Sequence, residues 1–267
     1  VTRLAWDGTA NKFYEAGVDR GVLYIDGQDG VPWIGLISVS ESPSGGDARA
    51  TYLDGHKIVN RSRPEHFNAS IEAFTYPREF EACEGSESLA NGLQVYQQNK
   101  KRFNLAYRTK VGNDIEGLDH AYKIHLVYNA LASPSSKDYE SLNDDTEPST
   151  FSWDISTQKV RFEDPFFGVR YTAHVVLDSR VVYPWAMEAI EDFLYGTEDT
   201  PPKMPTPSEL LELFVDNALL KIIDNGDGTW TATGPDEAIS MLDANTFAIN
   251  WPSAIMIDDE SYNISSL

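Results

Sequence analysis

The sequence predicts a mainly β protein, a β-sandwich with one packed helix and a small C-terminal domain. Three observations carry that prediction. The stretch Lys101–Ala132 alternates apolar and polar residues on two long arms around an acidic loop. Shorter runs with the same period recur before and after it. Clear helical periodicity is confined to Pro184–Tyr195 and a short stretch after Thr206. Alternation at period 2 marks strands with one buried face, and aromatic and β-branched residues suit them.

On the first arm of the central hairpin Phe103, Leu105, Tyr107 and Val111 share a face opposite Arg102, Asn104, Arg108 and Lys110. On the second arm Tyr122, Ile124, Leu126 and Tyr128 alternate with Lys123, His125 and Asn129, and are expected to be the buried set. Asn113, Asp114, Gly117 and Asp119 supply turn chemistry. Arms of roughly 12 residues reach about 40 Å, longer than the usual 5–6 residues. Strands that long need cover for their edges, and other copies of the same chain are the expected source.

In order along the chain, a polar arm precedes GVLYIDGQDG, a brief strand with Gly27 and Gly30 at its turn. Val31–Ser42 reads as one strand apolar on both faces (Val31, Trp33, Ile34, Leu36). Ser42–Pro64 is an excursion with a hairpin about Asp54-Gly55. Phe67–Pro77 returns to alternation, with Phe67, Ala69, Ile71 and Ala73 aligned, and a Glu-rich connection holds Cys83. Beyond the hairpin lie a polar Ser/Asp loop, a strand over Thr150–Val160 (Phe151, Trp153, Ile155) and one over Val169–Val182. Pro184–Tyr195 is a helix with Pro in its first turn, an Ala186, Ala189, Ile190, Phe193 stripe and Gly196 to end it. A Pro-rich linker over 200–207 separates a first domain (1–199) from a second (208–267). The second opens with the capping box Thr206-Pro207-Ser208-Glu209, and LLKIIDNGDGTWTATG and AISMLDANTFAINW read as short strands.

A net charge of −21 argues against binding nucleic acid through its phosphates, which takes excess Lys and Arg. It permits a surface that DNA passes without sticking. A single cysteine forms no internal disulfide. No signal-like apolar segment follows Val1 and no run approaches a membrane span, so synthesis in the cytosol without membrane contact is expected.

No catalytic residue, cofactor or metal site is assigned. Asp224–Gly228 has Gly226 where a calcium loop needs an oxygen ligand and reads as a hairpin turn. Asn113, Asp114, Glu116, Asp119 and His120 bring metal-type ligands together, but a solvated tip accounts for them equally well. The histidines His56, His66, His120, His125 and His174 form no zinc spacing. No nucleophile elbow, P-loop or dinucleotide fingerprint is present. Among 42 acids no pair is singled out for glycoside hydrolysis. The basic hairpin face is either ion-paired within the chain or meets acidic neighbours. On the second reading Arg102, Arg108, Lys110 and Lys123, with the tip acids Asp114, Glu116 and Asp119, are subunit contacts.

Several stretches resemble the major tail (tail tube) proteins of siphophages. They are GVPWIGLISVSESPSGGDARATYLDGHKIVN (30–60), ASIEAFTYPREFEACEGS (69–86), FNLAYRTKVGNDIEGLDHAYKIHLVYNALASPS (103–135) and TFSWDIST (150–157). DNGDGTWTATGPDEAISMLDANTFAIN (224–250) is similar to the extra C-terminal domain of actinobacteriophage members. The resemblance implies a tail-tube fold whose strands join those of other copies in one inner barrel. Hexameric rings would stack into a tube carrying double-stranded DNA and the tape measure protein in its lumen. Tail terminator and distal tail proteins would close its ends, and the virion tail would be its location after assembly in the host cytoplasm. It implies further that the excursion reaches the adjacent ring, making Ser42, Pro43, Asp54, His56, Lys57, Arg61 and Arg63 candidate contacts. Two rivals stand beside this: a carbohydrate-active β-sandwich enzyme or binding module, and a terminator or distal tail ring protein.

Overall fold

The computed structural model describes residues 8, 12–46, 49–53, 56–61, 64–133, 137, 149–164, 168–218, 221–224, 230–233, 239–243 and 246–249. Side chains are described outside 49–61 and up to 214. The chain divides into two compact units, Val1–Pro207 and Ser208–Leu267.

The first unit is mainly β. Its strands are β1 (Tyr14–Ile25), β2 (Val31–Pro32), β3 (Leu36–Glu41), β4 (Arg49–Leu53), β5 (His56–Arg61) and β6 (Asn68–Ala73). A 3₁₀ turn (Arg78–Phe80) runs into α1 (Glu81–Glu84). Then come β7 (Glu87–Ala90), β8 (Leu93–Val95), β9 (Phe103–Asn113) and β10 (Gly117–Ala132). The last are β11 (Phe151–Thr157), β12 (Val160–Asp164), β13 (Gly168–Thr172), β14 (His174–Asp178) and α2 (Pro184–Tyr195). The second unit holds α3 (Pro207–Ala218, opening at the boundary) and two hairpins, β15 (Lys221–Asp224) with β16 (Trp230–Thr233) and β17 (Ile239–Asp243) with β18 (Thr246–Ile249). The Asp224–Gly228 turn lies almost wholly in 225–229, outside the described residues.

One eight-stranded antiparallel sheet dominates, in the order β2-β1-β9-β10-β11-β6-β3, with β14 also beside β10. It curls until its two ends approach: a Cβ on Gly21 of β1 would stand 2.9 Å from the Leu36 Cδ2 of β3. No barrel closes within the chain among the described residues. The 16-residue β10 is the shared element. Along one edge it pairs with β14 over Lys123–Val127 and with β11 over Ala130–Ala132. Asn129 sits at the changeover with a positive φ of 52°, and its N–H is taken by Asn104 Oδ1 at 2.8 Å. Asparagine tolerates that conformation better than most residues.

The concave face holds an aromatic core. Trp33, Phe80 and Trp153 pack with centroids 4.7–5.8 Å apart, and Phe103 lies 5.3 Å from Phe80. Ile71, Leu105, Val127 and Ile155 fill the space around them. Cys83 belongs to the same cluster, and burial pushes its thiol up to about 12, so it is inert.

The convex face is also covered. α2 lies over it with Ala186, Met187, Ile190 and Leu194 buried, and the Tyr24 hydroxyl donates to the Leu194 carbonyl at 2.6 Å. Gly196 ends this helix at φ 77°, where a Cβ would stand 2.8 Å from the Thr200 carbonyl oxygen. The proline-rich segment after it is bonded to the β1–β2 turn, to α2 and to β10. Gly30 N–H donates to the Pro202 carbonyl (2.9 Å), Lys203 N–H to Phe193 (2.7 Å) and the Tyr128 hydroxyl to Pro205 (3.0 Å).

Five expectations change. The brief first strand is a 12-residue strand, hidden from the pattern by two bulges where Gly17 (φ 74°) and Arg20 (φ 48°) break the alternation. Val31–Ser42 is two strands, because Gly35 at φ 91° turns the chain and leaves Ile34 76% exposed while Trp33 is buried. Val169–Val182 is also two strands, broken at Ala173, one pairing with β12 and the other with β10. The α2 stripe runs through Met187 and Leu194, with Phe193 facing out. Both faces of the second hairpin arm are buried: His125 and Val127 pair with Tyr107 and Leu105 on the core side, while Ile124 and Leu126 lie on the other.

Candidate functional site

The central hairpin bears on function first. Arg108 lies on the convex face and donates two hydrogen bonds to Asp19 of β1, at 2.6 and 2.8 Å. Its guanidinium also stacks over Tyr122, 4.9 Å from the ring centre. The fork geometry of arginine suits this bidentate pairing, and it holds the Asp19 carboxyl below its ordinary range. On the concave side Lys123 reaches across β9 to Glu15. The β1 bulges also turn Arg20 toward α2, where it pairs with Glu191 at 3.4 Å. Two of the predicted subunit contacts are therefore ion-paired within the chain.

The other candidates are dispersed. Arg102 donates to the Asn129 carbonyl at 3.0 Å. Lys110 lines a cleft of about 740 Å³ between the hairpin and α2, with Tyr122, Met187 and Glu191. At the tip, Asn113 Oδ1 accepts from the Ile115 and Glu116 amides (3.0 and 2.6 Å), an Asx turn. Glu116 meets His120 at 2.5 Å, while Asp114 and Asp119 are exposed. Ser42 and Pro43 are exposed, and the Ser42 N–H donates to the Asn68 carbonyl at 2.8 Å. His56, Lys57 and Arg61 lie on β5, which pairs with β4 as the expected hairpin. Asp54 and Arg63 lie outside the described residues.

Strand left without a second layer is the larger feature. Among the described residues, the β7–β8 and β12–β13 hairpins pair with no other strand. Leu89 and Leu93 on the first are 62% and 53% exposed, and Tyr171 on the second is 61% exposed. β3 and β14 each pair along one edge, and β1 has only the two-residue β2 on its outer side. Isolated two-stranded hairpins are marginal in water, and open edges invite pairing with another chain.

A cluster that the sequence did not pair lies at the mouth of the curled sheet. Glu41 from the end of β3, His125 from β10 and His174 from β14 converge. Glu41 Oε1 is 3.1 Å from His125 Nδ1 and 3.8 Å from His174 Nε2. The two ring nitrogens are 3.3 Å apart. Tyr107 stacks on His125 with its ring 4.6 Å away, and its hydroxyl donates to the same Glu41 oxygen at 2.6 Å. Hydrogen bonds from His125 and Tyr107 outweigh burial and hold the Glu41 carboxyl down to about 2. Burial moves His174 the other way from a charged state, lowering its pKa. Spacing gave no sign of this cluster, because His125 and His174 meet through the β10–β14 pairing and Glu41 joins them from β3 across the curled sheet.

No protein-family model matches the chain, and no curated protein does. Among solved structures the chain aligns with a chain of the anti-feeding prophage baseplate at 8% identity, covering 65% of this chain and 97% of that one, with a TM-score of 0.33. It aligns with a chain of the sheath–tube complex of the extracellular contractile injection system PVC at 15% identity, covering 60% and 88%, TM-score 0.25. A chain of the PVC sheath/tube terminator aligns at 18% identity, covering 60% and 98%, TM-score 0.26. At such TM-scores the likeness carries no argument about residues or assembly.

Proposed function

We propose that the chain is a structural, non-catalytic protein of a phage tail that self-assembles into stacked hexameric rings forming a tube for double-stranded DNA. The observation that supports this best is the unlayered strand: two hairpins with exposed Leu89, Leu93 and Tyr171, beside three incompletely paired sheet edges. A chain that covers both faces of its main sheet yet leaves these open is suited to receive copies of itself. The tail-tube resemblance of residues 30–60, 69–86, 103–135 and 150–157 supplies the ring and tube. The net charge of −21 favours a lumen that repels phosphate and lets DNA slide. The exposed tip acids Asp114 and Asp119, with Ser42 and Pro43, remain the proposed subunit and ring contacts. Arg108 and Lys123 are also held by ion pairs within the chain, to Asp19 and Glu15.

Negative-stain electron microscopy of the purified protein over a range of concentrations, with and without the tail-tip complex, tests this. Striated hollow tubes or six-fold rings are the expected result. Monomers that persist with the tail-tip complex present would overturn it.

A further inference from the structure

We propose that Glu41, His125 and His174 form a binding site for one divalent transition-metal ion, of which zinc is the best fit. The carboxylate oxygen and the two ring nitrogens define a triangle with sides of 3.1, 3.3 and 3.8 Å. The circle through those three atoms has a radius of about 2.0 Å, which is a zinc–ligand distance. Donors of a tetrahedral zinc ion lie roughly 3.3 Å apart, so the three atoms already stand where an ion would hold them.

The chemistry of the donors agrees with their spacing. Two imidazoles and one carboxylate make a set that suits zinc, with a fourth position left for water. That position faces solvent, because the Glu41 side chain is 36% exposed while His125 and His174 are 9% and 16% exposed. Outer contacts fix the ligands. Thr109 Oγ1 lies 3.0 Å from His125 Nε2 and can accept its proton, which leaves the Nδ1 lone pair aimed at the other two donors. Tyr107 holds the Glu41 oxygen from the other side, and Phe67 packs on the His174 ring at 4.3 Å. Such second contacts orient metal ligands and set their basicity. Without a cation, a carboxylate and two imidazole nitrogens converge on one point where protons alone must keep them from repelling.

Titration of metal-free full-length protein with zinc chloride, followed by calorimetry and by competition with a colorimetric chelator, tests the site. One ion per chain is expected. His174→Ala and Glu41→Gln should each weaken binding by more than the roughly 10–100-fold typical of outer-contact changes. Thr109→Ala should weaken it by about 10-fold. Circular dichroism of each variant checks that it folds, and Glu41→Gln keeps a hydrogen-bonding acceptor for Tyr107. No zinc uptake by the folded wild type would overturn the proposal. So would uptake that His174→Ala and Glu41→Gln both leave unchanged, since the ion would then sit elsewhere.

Discussion

The curled sheet and the hairpins attached to it are made of the same secondary structure but stand in opposite relations to water. The sheet has a layer on each side, the aromatic core around Trp153 on one and α2 with the proline-rich strap on the other. Among the described residues the β7–β8 and β12–β13 hairpins have no such layer, and Leu89, Leu93, Val169 and Tyr171 on them are exposed. The difference separates residues that make the chain fold from residues that the proposed function gives to contact with another copy. Isolated two-stranded hairpins are marginal in water, and on the proposed function a second copy of the chain supplies the missing cover.

The largest test of this division lies in the core. Trp153→Ala removes a fully buried indole, and a loss of about 3–5 kcal/mol is expected in a denaturant titration. Next comes the internal tie of the hairpin. Arg108→Ala should cost about 2 kcal/mol, in the range for hydrogen bonds to a charged group. If Arg108 served mainly as a subunit contact, monomer stability would be unchanged. The same tie carries a pH dependence. Asp19 is held below its ordinary 3.8 by Arg108, so the unfolded chain takes up the proton first. The stability advantage of wild type over Asp19→Asn should be full above pH 3.8 and should vanish as the pH falls below it.

An effect of the same order is expected at the changeover on β10. Asn129→Val puts a β-branched residue at φ 52° and should cost about 1–3 kcal/mol, the range for a strained backbone position. The smallest effect on folding, and the sharpest on assembly, belongs to Leu93→Ser with Tyr171→Ser. Each exposed change should move monomer stability by no more than about 0.5 kcal/mol. Sedimentation should nevertheless show weaker self-association. Equal assembly by the double variant would break the comparison.

Much of the fold was legible because burial leaves a period. The α2 bounds, the aligned Ala69, Ile71 and Ala73, and the Phe151, Trp153, Ile155 strand all follow from side chains that face one core. The errors arise where one period carries two messages. Tyr122, Ile124, Leu126 and Tyr128 look like the core face because they are apolar, yet the alternate set with His125 and Val127 is buried as well. A polar residue at a buried position, held by Tyr107 and Thr109, reads as surface in a hydropathy pattern. The β1 bulges erase alternation by inserting residues. The Glu41–His125–His174 cluster left no local trace, because it depends on the pairing of β10 with β14 and on how far the sheet curls to bring in Glu41.

The place of β10 between its partners has a consequence for synthesis. Its partnership with β9 is local and forms across a short turn. β1, in contrast, must find β9 through Leu23↔Leu105, and β10 must find β14 through Lys123↔Asp178. Such distant pairings slow folding, because loops close before contacts reward them. At ribosomal speeds β1 waits on the order of ten seconds for β9 to be made. During that wait its apolar end, Val22–Ile25, has no core to enter. Two charged positions near the other end, Glu15 and Asp19, then serve the nascent chain by keeping it soluble before they serve the fold as partners of Lys123 and Arg108.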